Sequence, residues 1–294
     1  MKLFIFGLGY AAGSAADYQL ARGATITATV RSPAKARSLA RAEMTVQVFS
    51  PDYCDPRIED DLVNSDGLLV SVPPGEAGDP TLKAFSTIIA RARRLRWIGY
   101  LSTIGVYGDR NGQWVDESTP VSPTSERSIS RVKAEQSWLD LGKRSDKAVH
   151  VFRLSGIYGP GRNQLIQLAN GTARRIVKPG QVFNRIHVCD IARVLDASLK
   201  QPRAGAIYNV TDNEPAPPQE VVTFAASLLG RNPPVEIAIE DANLSPMGRS
   251  FYRENKRVSN ALLTHELGVE LQYPTYREGL TALHLAGEGT SNGR

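Results

Sequence analysis

The first junction of the chain constrains its fold more than any other feature. Lys2-Leu3-Phe4-Ile5-Phe6 reads as a short, mostly apolar strand. Gly7-Leu8-Gly9-Tyr10-Ala11-Ala12-Gly13 follows at once and opens a helical pattern over residues 10–22. A second strand-like run, 24–30, completes a β-α-β unit. A glycine triplet by itself says little. Placed at the first strand–helix turn of such a unit, it marks a turn where the backbone must be approached closely.

The same alternation continues along the chain. Further strands are expected at 45–50, 67–73, 97–103, 148–154 and 206–211, rich in Val, Ile, Phe and Thr. Helices are expected at 32–41, 80–95, 128–142, 188–200 and 218–229. Several strands are almost continuously apolar, as strands covered on both faces are. The order predicts an α/β protein, a Rossmann-type doubly wound parallel sheet with right-handed crossovers. Residues 1–154 form the nucleotide-binding part, completed by about 188–211. Residues 155–187 and 212–294 break the alternation, the latter punctuated by Pro215, Pro217, Pro218, Pro233, Pro234 and Pro274. They read as a smaller, mixed substrate-binding cap. The end from Gly287 reads as a loose tail.

Composition narrows the function classes. The 294 residues are 41% hydrophobic with a net charge of +5. No run reaches the roughly 18 apolar residues of a membrane span, and the N-terminal apolar stretch is too short for a signal peptide. A cytoplasmic protein without membrane partners is expected. Cys54 and Cys189 have no metal-like spacing and read as reduced, largely buried thiols, and the four histidines are scattered, so no metal is expected. The basic run at 91–96 lacks interleaved aromatics, so it reads as a solvated helix end and not as a nucleic-acid surface.

The glycine turn carries the first ligand argument. Gly7 permits the tight turn, Gly9 lets a pyrophosphate approach the backbone, and Ala12 or Gly13 permits close helix–strand packing. Tyr10 is the first residue of the helix, whose N-terminus offers free N–H groups to an anion. Strand two ends in Val30-Arg31-Ser32, followed by Lys35 and Arg37, with no Asp or Glu to accept from a ribose 2′-hydroxyl. Arg31, Ser32 and Arg37 suit a 2′-phosphate, so NADP(H) is expected over NAD(H). Ser71-Val72-Pro73-Pro74 would lie beside the nicotinamide ribose, and Asp52 or Asp55 near adenine.

Later motifs add a resemblance. Leu101-Ser102-Thr103-Ile104-Gly105-Val106-Tyr107-Gly108, Arg153-Leu154-Ser155-Gly156-Ile157-Tyr158-Gly159-Pro160, Arg185-Ile186-His187-Val188-Cys189-Asp190 and Tyr208-Asn209-Val210 occur in order behind the glycine loop. Together they resemble the extended short-chain dehydrogenase/reductases, the NAD(P)-dependent epimerase/dehydratase family. The resemblance implies that Thr103 polarises a substrate oxygen. It also implies that Lys133 holds the nicotinamide ribose, and that the family's proton-donating tyrosine falls at Ile129. His187 and Asp190 would be structural.

Three departures mark an atypical member: Ile129 for the tyrosine, Gly156 for a substrate-binding asparagine, and Tyr10 at the middle glycine position. With no tyrosine at 129, the proton would come from water, from the substrate, or from Tyr107 or Tyr158. The expected function is an NADP(H)-dependent oxidoreductase acting on a small carbonyl or hydroxyl compound, possibly sugar-like. The alternative is an NADP(H)-binding redox sensor without turnover. Family members are often homodimers, and no interface is legible here.

Overall fold

The computed structural model describes residues 1–290. Seven parallel strands form one sheet: β1 (Lys2–Phe6), β2 (Thr25–Val30), β3 (Met44–Val48), β4 (Gly67–Val70), β5 (Trp97–Thr103), β6 (Ala148–Leu154) and β7 (Ala206–Val210). Their spatial order is β7-β6-β5-β4-β1-β2-β3, so the winding reverses between β1 and β4. Ligands of open α/β sheets bind outside the carboxyl ends of the strands at such a reversal.

The helices are α1 (Tyr10–Leu20), α2 (Pro33–Leu39), α3 (Ile58–Val63), α4 (Pro80–Arg91), α5 (Glu126–Ser145), α6 (Gln164–Ala169), α7 (Val188–Lys200), α8 (Pro218–Leu228), α9 (Pro246–Arg253), α10 (Ala261–Leu267) and α11 (Tyr276–Leu285). On one face of the sheet α1 and α7 bury Ala12, Ala16, Ile191 and Leu195 against Ile5 and Ile26. On the other, α3, α4 and α5 bury Leu62, Phe85, Ile89 and Trp138 against Phe4, Phe6 and Ile98. The helix starts are chemically marked. Asp79 accepts from the N–H groups of Thr81 (2.9 Å) and Leu82 (3.0 Å), with Pro80 opening α4. Its other oxygen accepts from Trp138 Nε1 at 3.0 Å, so one carboxylate both caps α4 and ties it to α5.

All seven expected strands are present. β4 stops at Val70, short of the expected 73, because Pro73 and Pro74 cannot donate to a ladder. α3, α6, α9, α10 and α11 were not expected. All but α11 have eight residues or fewer, too short for a clear apolar period, and α11 lies in the Pro-punctuated part read as a cap of mixed helices and loops. Outside the sheet, Gly156–Tyr158 pairs with Arg185–His187, Arg175–Val177 with Glu236–Ala238, and Trp114–Val115 with Arg257–Val258.

Two smaller expectations are corrected. Cys54 is exposed and Cys189 half-buried, so neither is a core thiol. The chain from Gly287 is held as far as it is described. The Glu288 carboxylate accepts from Gly161 N (2.9 Å) and Asn163 Nδ2 (2.6 Å). Residues 291–294 of the expected loose tail lie outside the described residues.

Candidate functional site

The glycines of the first turn are needed for different reasons. Gly7 has φ +86°, and a Cβ there would sit 2.9 Å from Val72 Cγ2. Its N–H donates to Thr29 Oγ1 at 3.0 Å, and Leu8 N donates to Thr29 O at 2.8 Å. The fold itself requires this glycine. Gly9 has φ −93°, and beyond its own and adjoining backbone no protein atom lies within 4 Å of where its Cβ would be. Nothing in the protein excludes a side chain there, so the space beside it is open. Gly9 is also the N-cap of α1, which has no side-chain cap and no acidic residue in its first turn. Its first N–H groups therefore face the crevice with the positive end of the helix dipole behind them. Ala12 is fully buried, where a larger side chain would push α1 off the sheet. Gly13 N donates to Gly9 O at 2.7 Å. These residues fit a dinucleotide pyrophosphate.

Tyr10 fills part of the same region. Its hydroxyl donates to Pro160 O at 2.9 Å, and the Arg162 guanidinium carbon lies 5.7 Å from its ring centroid. Burial pushes the phenol up to about 12. The tyrosine thus links the glycine turn to the Gly159–Arg162 loop.

At the end of β2, Arg31, Lys35 and Arg37 are exposed, and Ser32 Oγ accepts from Lys35 N at 3.3 Å to cap α2. Ser71 N donates to Phe6 O at 2.9 Å, which holds the loop of Val72 and Pro73 against the glycine turn. Asp52 is exposed, while the Asp55 carboxylate is taken by Arg57 at 2.7 and 3.0 Å.

A second cluster forms at the end of β5. β4 pairs with β5 only as far as Val70↔Tyr100, and β5 runs on to Thr103. Arg131, buried on α5, donates through Nη1 to Leu101 O at 2.6 Å and to Tyr100 Oη at 3.3 Å. Thr103 Oγ1 accepts from Gly105 N at 3.1 Å and caps the turn Ile104–Tyr107. A Cβ on Gly105 would lie 2.9 Å from Ser128 Oγ and 3.4 Å from Thr103 Oγ1, so both hydroxyls border one spot. Ser125 Oγ, the cap of α5, lies 2.9 Å from Ser128 Oγ.

Behind this cluster runs a buried polar chain. Ser102 donates to Glu135, which pairs with Arg153 at 2.8 Å. Arg153 Nη1 donates to Tyr107 Oη at 2.9 Å, and Tyr107 donates to Asn209 Oδ1 at 2.8 Å. Asn209 N donates to Glu117 Oε1 at 2.7 Å. The chain joins β5, α5, β6, β7 and the loop after the Tyr107 turn.

The sequence-expected residues divide accordingly. The structure brings Thr103 to the open end of β5 but does not bring Lys133 to it. The buried face of α5 carries Ser128, Arg131, Ala134, Glu135 and Trp138. Ile129 and Lys133 are each two residues from Arg131, about 200° around a helix that turns roughly 100° per residue. Both are exposed, Ile129 to 39%. Reading them as the cleft-facing pair misjudged the helix face. The residues on the inner arc at the same spacing of four are Arg127 and Arg131. The pattern of Ala134, Trp138 and Leu141, extended one and two turns towards the N-terminus, carries that signal in the sequence.

Tyr107 is fully buried with its hydroxyl engaged in the polar chain, and burial raises its pKa. Tyr158 is buried against α11, its hydroxyl 3.4 Å from Thr275 O, and burial raises its pKa as well. Both phenols serve the fold in this arrangement. Asp190 accepts from Gln272 N (2.7 Å) and Tyr273 N (3.0 Å), and His187 Nδ1 accepts from Cys189 N at 3.2 Å.

The family model of the NAD dependent epimerase/dehydratase family matches residues 79–211. A solved structure of a functionally unknown conserved protein from Silicibacter pomeroyi is 46% identical, with 98% of this chain and 99% of that chain covered and a TM-score of 0.86. The fold is shared with dTDP-glucose 4,6-dehydratase from Bacillus anthracis in complex with NAD (18% identity, 99% and 97% covered, TM-score 0.78). It is also shared with UDP-N-acetylglucosamine 4-epimerase from Bacillus cereus (15% identity, 97% and 99% covered, TM-score 0.74). No curated protein matches the chain. The matched model runs from the cap of α4 through the Thr103 turn to the end of β7, and the glycine turn and seven-stranded sheet complete the pattern: the chain belongs to the NAD-dependent epimerase/dehydratase family of extended short-chain dehydrogenase/reductases.

Proposed function

We propose that this protein binds NADP(H) and is an oxidoreductase acting on a small carbonyl or hydroxyl compound. The observation that carries the reading is the open space at Gly9 before the uncapped start of α1, on the same sheet edge as Thr103. Bound NADP(H) would supply or accept a hydride. Gly9, Tyr10 and Gly13 would border the pyrophosphate, with Gly7 shaping the turn and Ala12 seating α1 on the sheet behind them. Arg31, Ser32 and Arg37 would receive the 2′-phosphate, because a guanidinium pairs with phosphate and no carboxylate competes. Ser71 and Pro73 would border the nicotinamide ribose. Thr103 would donate a hydrogen bond to the substrate oxygen as negative charge grows on it. Residues 155–187 and 212–290 would cover the substrate.

The weak point of the chemistry is the proton. No tyrosine occurs anywhere in α5. A missing general acid costs typically about 10²–10⁴-fold in rate and leaves hydride transfer feasible. The same observation favours a second reading, a redox sensor that binds NADP(H) without turnover.

One experiment addresses both readings. NADPH and NADH are titrated into the protein, and NADPH oxidation is then followed over a panel of aldehydes and ketones. Tighter NADPH binding with slow turnover that Thr103→Ala abolishes supports the enzyme. Tight NADPH binding without turnover supports the sensor. Equal or tighter NADH binding contradicts the NADP(H) assignment.

A further inference from the structure

We infer that the substrate carries an anionic group, a carboxylate or a phosphate, and that Arg127 recognises it; this rests on the proposed NADP(H) site. The argument begins with the shape of α5. Its buried residues, Ser128, Arg131, Ala134, Glu135, Trp138 and Leu141, lie on one arc facing the sheet. Arg127 lies one turn before Arg131, within that arc, yet it is exposed. A side chain on the inner arc escapes burial only where the helix extends past what it packs against. Here it extends past the end of β5. Ser128, the next residue, borders the spot shared with Thr103 and Gly105, and Arg131 reaches Leu101 O, two residues before Thr103. Arg127 therefore projects over the carboxyl edge of the sheet beside Thr103.

The two arginines differ in what they can do. Arg131 is buried and its Nη1 already serves two oxygens, so it works from within the sheet edge. Arg127 is free to meet a ligand. It cannot act as the proton donor, because a guanidinium keeps its proton at any working pH. Its planar fork of donors matches a carboxylate or phosphate bidentately and fixes orientation. An anionic group held there would set an adjoining carbonyl oxygen against Thr103.

The test is calorimetric titration of the NADPH-loaded protein with pyruvate, dihydroxyacetone phosphate and uncharged dihydroxyacetone. NADPH binding is measured first, so failure of the cofactor reading is seen on its own. At least one anion should bind about 10-fold or more tightly than dihydroxyacetone, the scale of a charge-assisted pair. Preference for pyruvate identifies a carboxylate, and preference for dihydroxyacetone phosphate identifies a phosphate. Arg127→Gln should remove the margin and leave NADPH affinity within about twofold, while Lys133→Gln keeps the margin. No anion preference in the wild type, or a preference that Arg127→Gln retains, overturns the inference.

Discussion

The two ends of the candidate cleft are built on opposite principles. At the glycine turn the protein leaves groups unsatisfied. The α1 N-terminus has no cap, and the space beside Gly9 is open to 4 Å. At the β5–α5 edge nearly every polar group is spoken for, from Ser102 through Glu135, Arg153, Tyr107 and Asn209 to Glu117. An uncapped helix start leaves N–H groups that water or an anion must meet, and the helix dipole favours the anion. A closed polar chain instead fixes the geometry of the elements that carry it. The first region is shaped to receive an anion, and the second holds Thr103 and α5 in register. Tyrosines drawn into the second region lose their availability for proton transfer.

Substitutions in the two regions should therefore fail differently. The largest effect is expected in the closed chain. Glu135→Ala leaves the Arg153 guanidinium buried without its carboxylate and should cost about 3–5 kcal/mol of stability, measured by denaturant unfolding. A loss under about 1 kcal/mol would mean that the chain is not the rigid element. In the open region, Arg31→Ala should weaken NADP(H) binding by about 1–3 kcal/mol, leave NAD(H) binding nearly unchanged, and barely move the melting temperature. Equal losses for both cofactors would remove the 2′-phosphate from Arg31.

A pH titration separates buried imidazoles from the open site. Burial lowers His150 and His187 to about 4. The unfolded chain takes up these protons below about 6.5. Their contribution to stability is thus complete above about 6.5 and is lost as the pH falls towards 4. NMR of the imidazole protons should show both rings neutral at pH 5.5. Protonation of either near 6.5 would contradict its burial.

The smallest effects are expected on the outer face of α5. Lys133→Ala should change stability by no more than about 0.5 kcal/mol and leave cofactor affinity unchanged. Ile129→Tyr should bring no gain in turnover, because a phenol there points away from Thr103. A reductase gain in Ile129→Tyr would restore the outer pair to the site.

Much of this architecture was legible in the sequence because it repeats. Strand composition and the β-α-β order disclosed all seven strands, and the position of Gly7 and Gly9 behind β1 disclosed the turn. The α5 site was misread for a definite reason. The spacing of Ile129 and Lys133 satisfies a four-residue rule that Arg127 and Arg131 satisfy equally well. Only the face buried by Ala134 and Trp138 separates them. Tyr107 and Tyr158 lie in the motifs where the cleft was expected, but their hydroxyls are committed to Asn209 and Thr275, partners that are 102 and 117 residues away. Of the short helices, α6 and α10 bury Leu165, Leu263 and Leu267, while α6 and α9 start at the local caps Asn163 and Ser245, and a periodic pattern records neither.

The central claim is that the space beside Gly9 is a cofactor site and not merely a turn. Titration of NADPH into the wild type and Gly9→Val tests it most directly. No neighbouring side chain or distant backbone crowds a Cβ at this position, so the variant should fold with a near wild-type melting temperature and lose most of its NADPH affinity. A folded Gly9→Val protein that binds NADPH as tightly as the wild type would contradict the account.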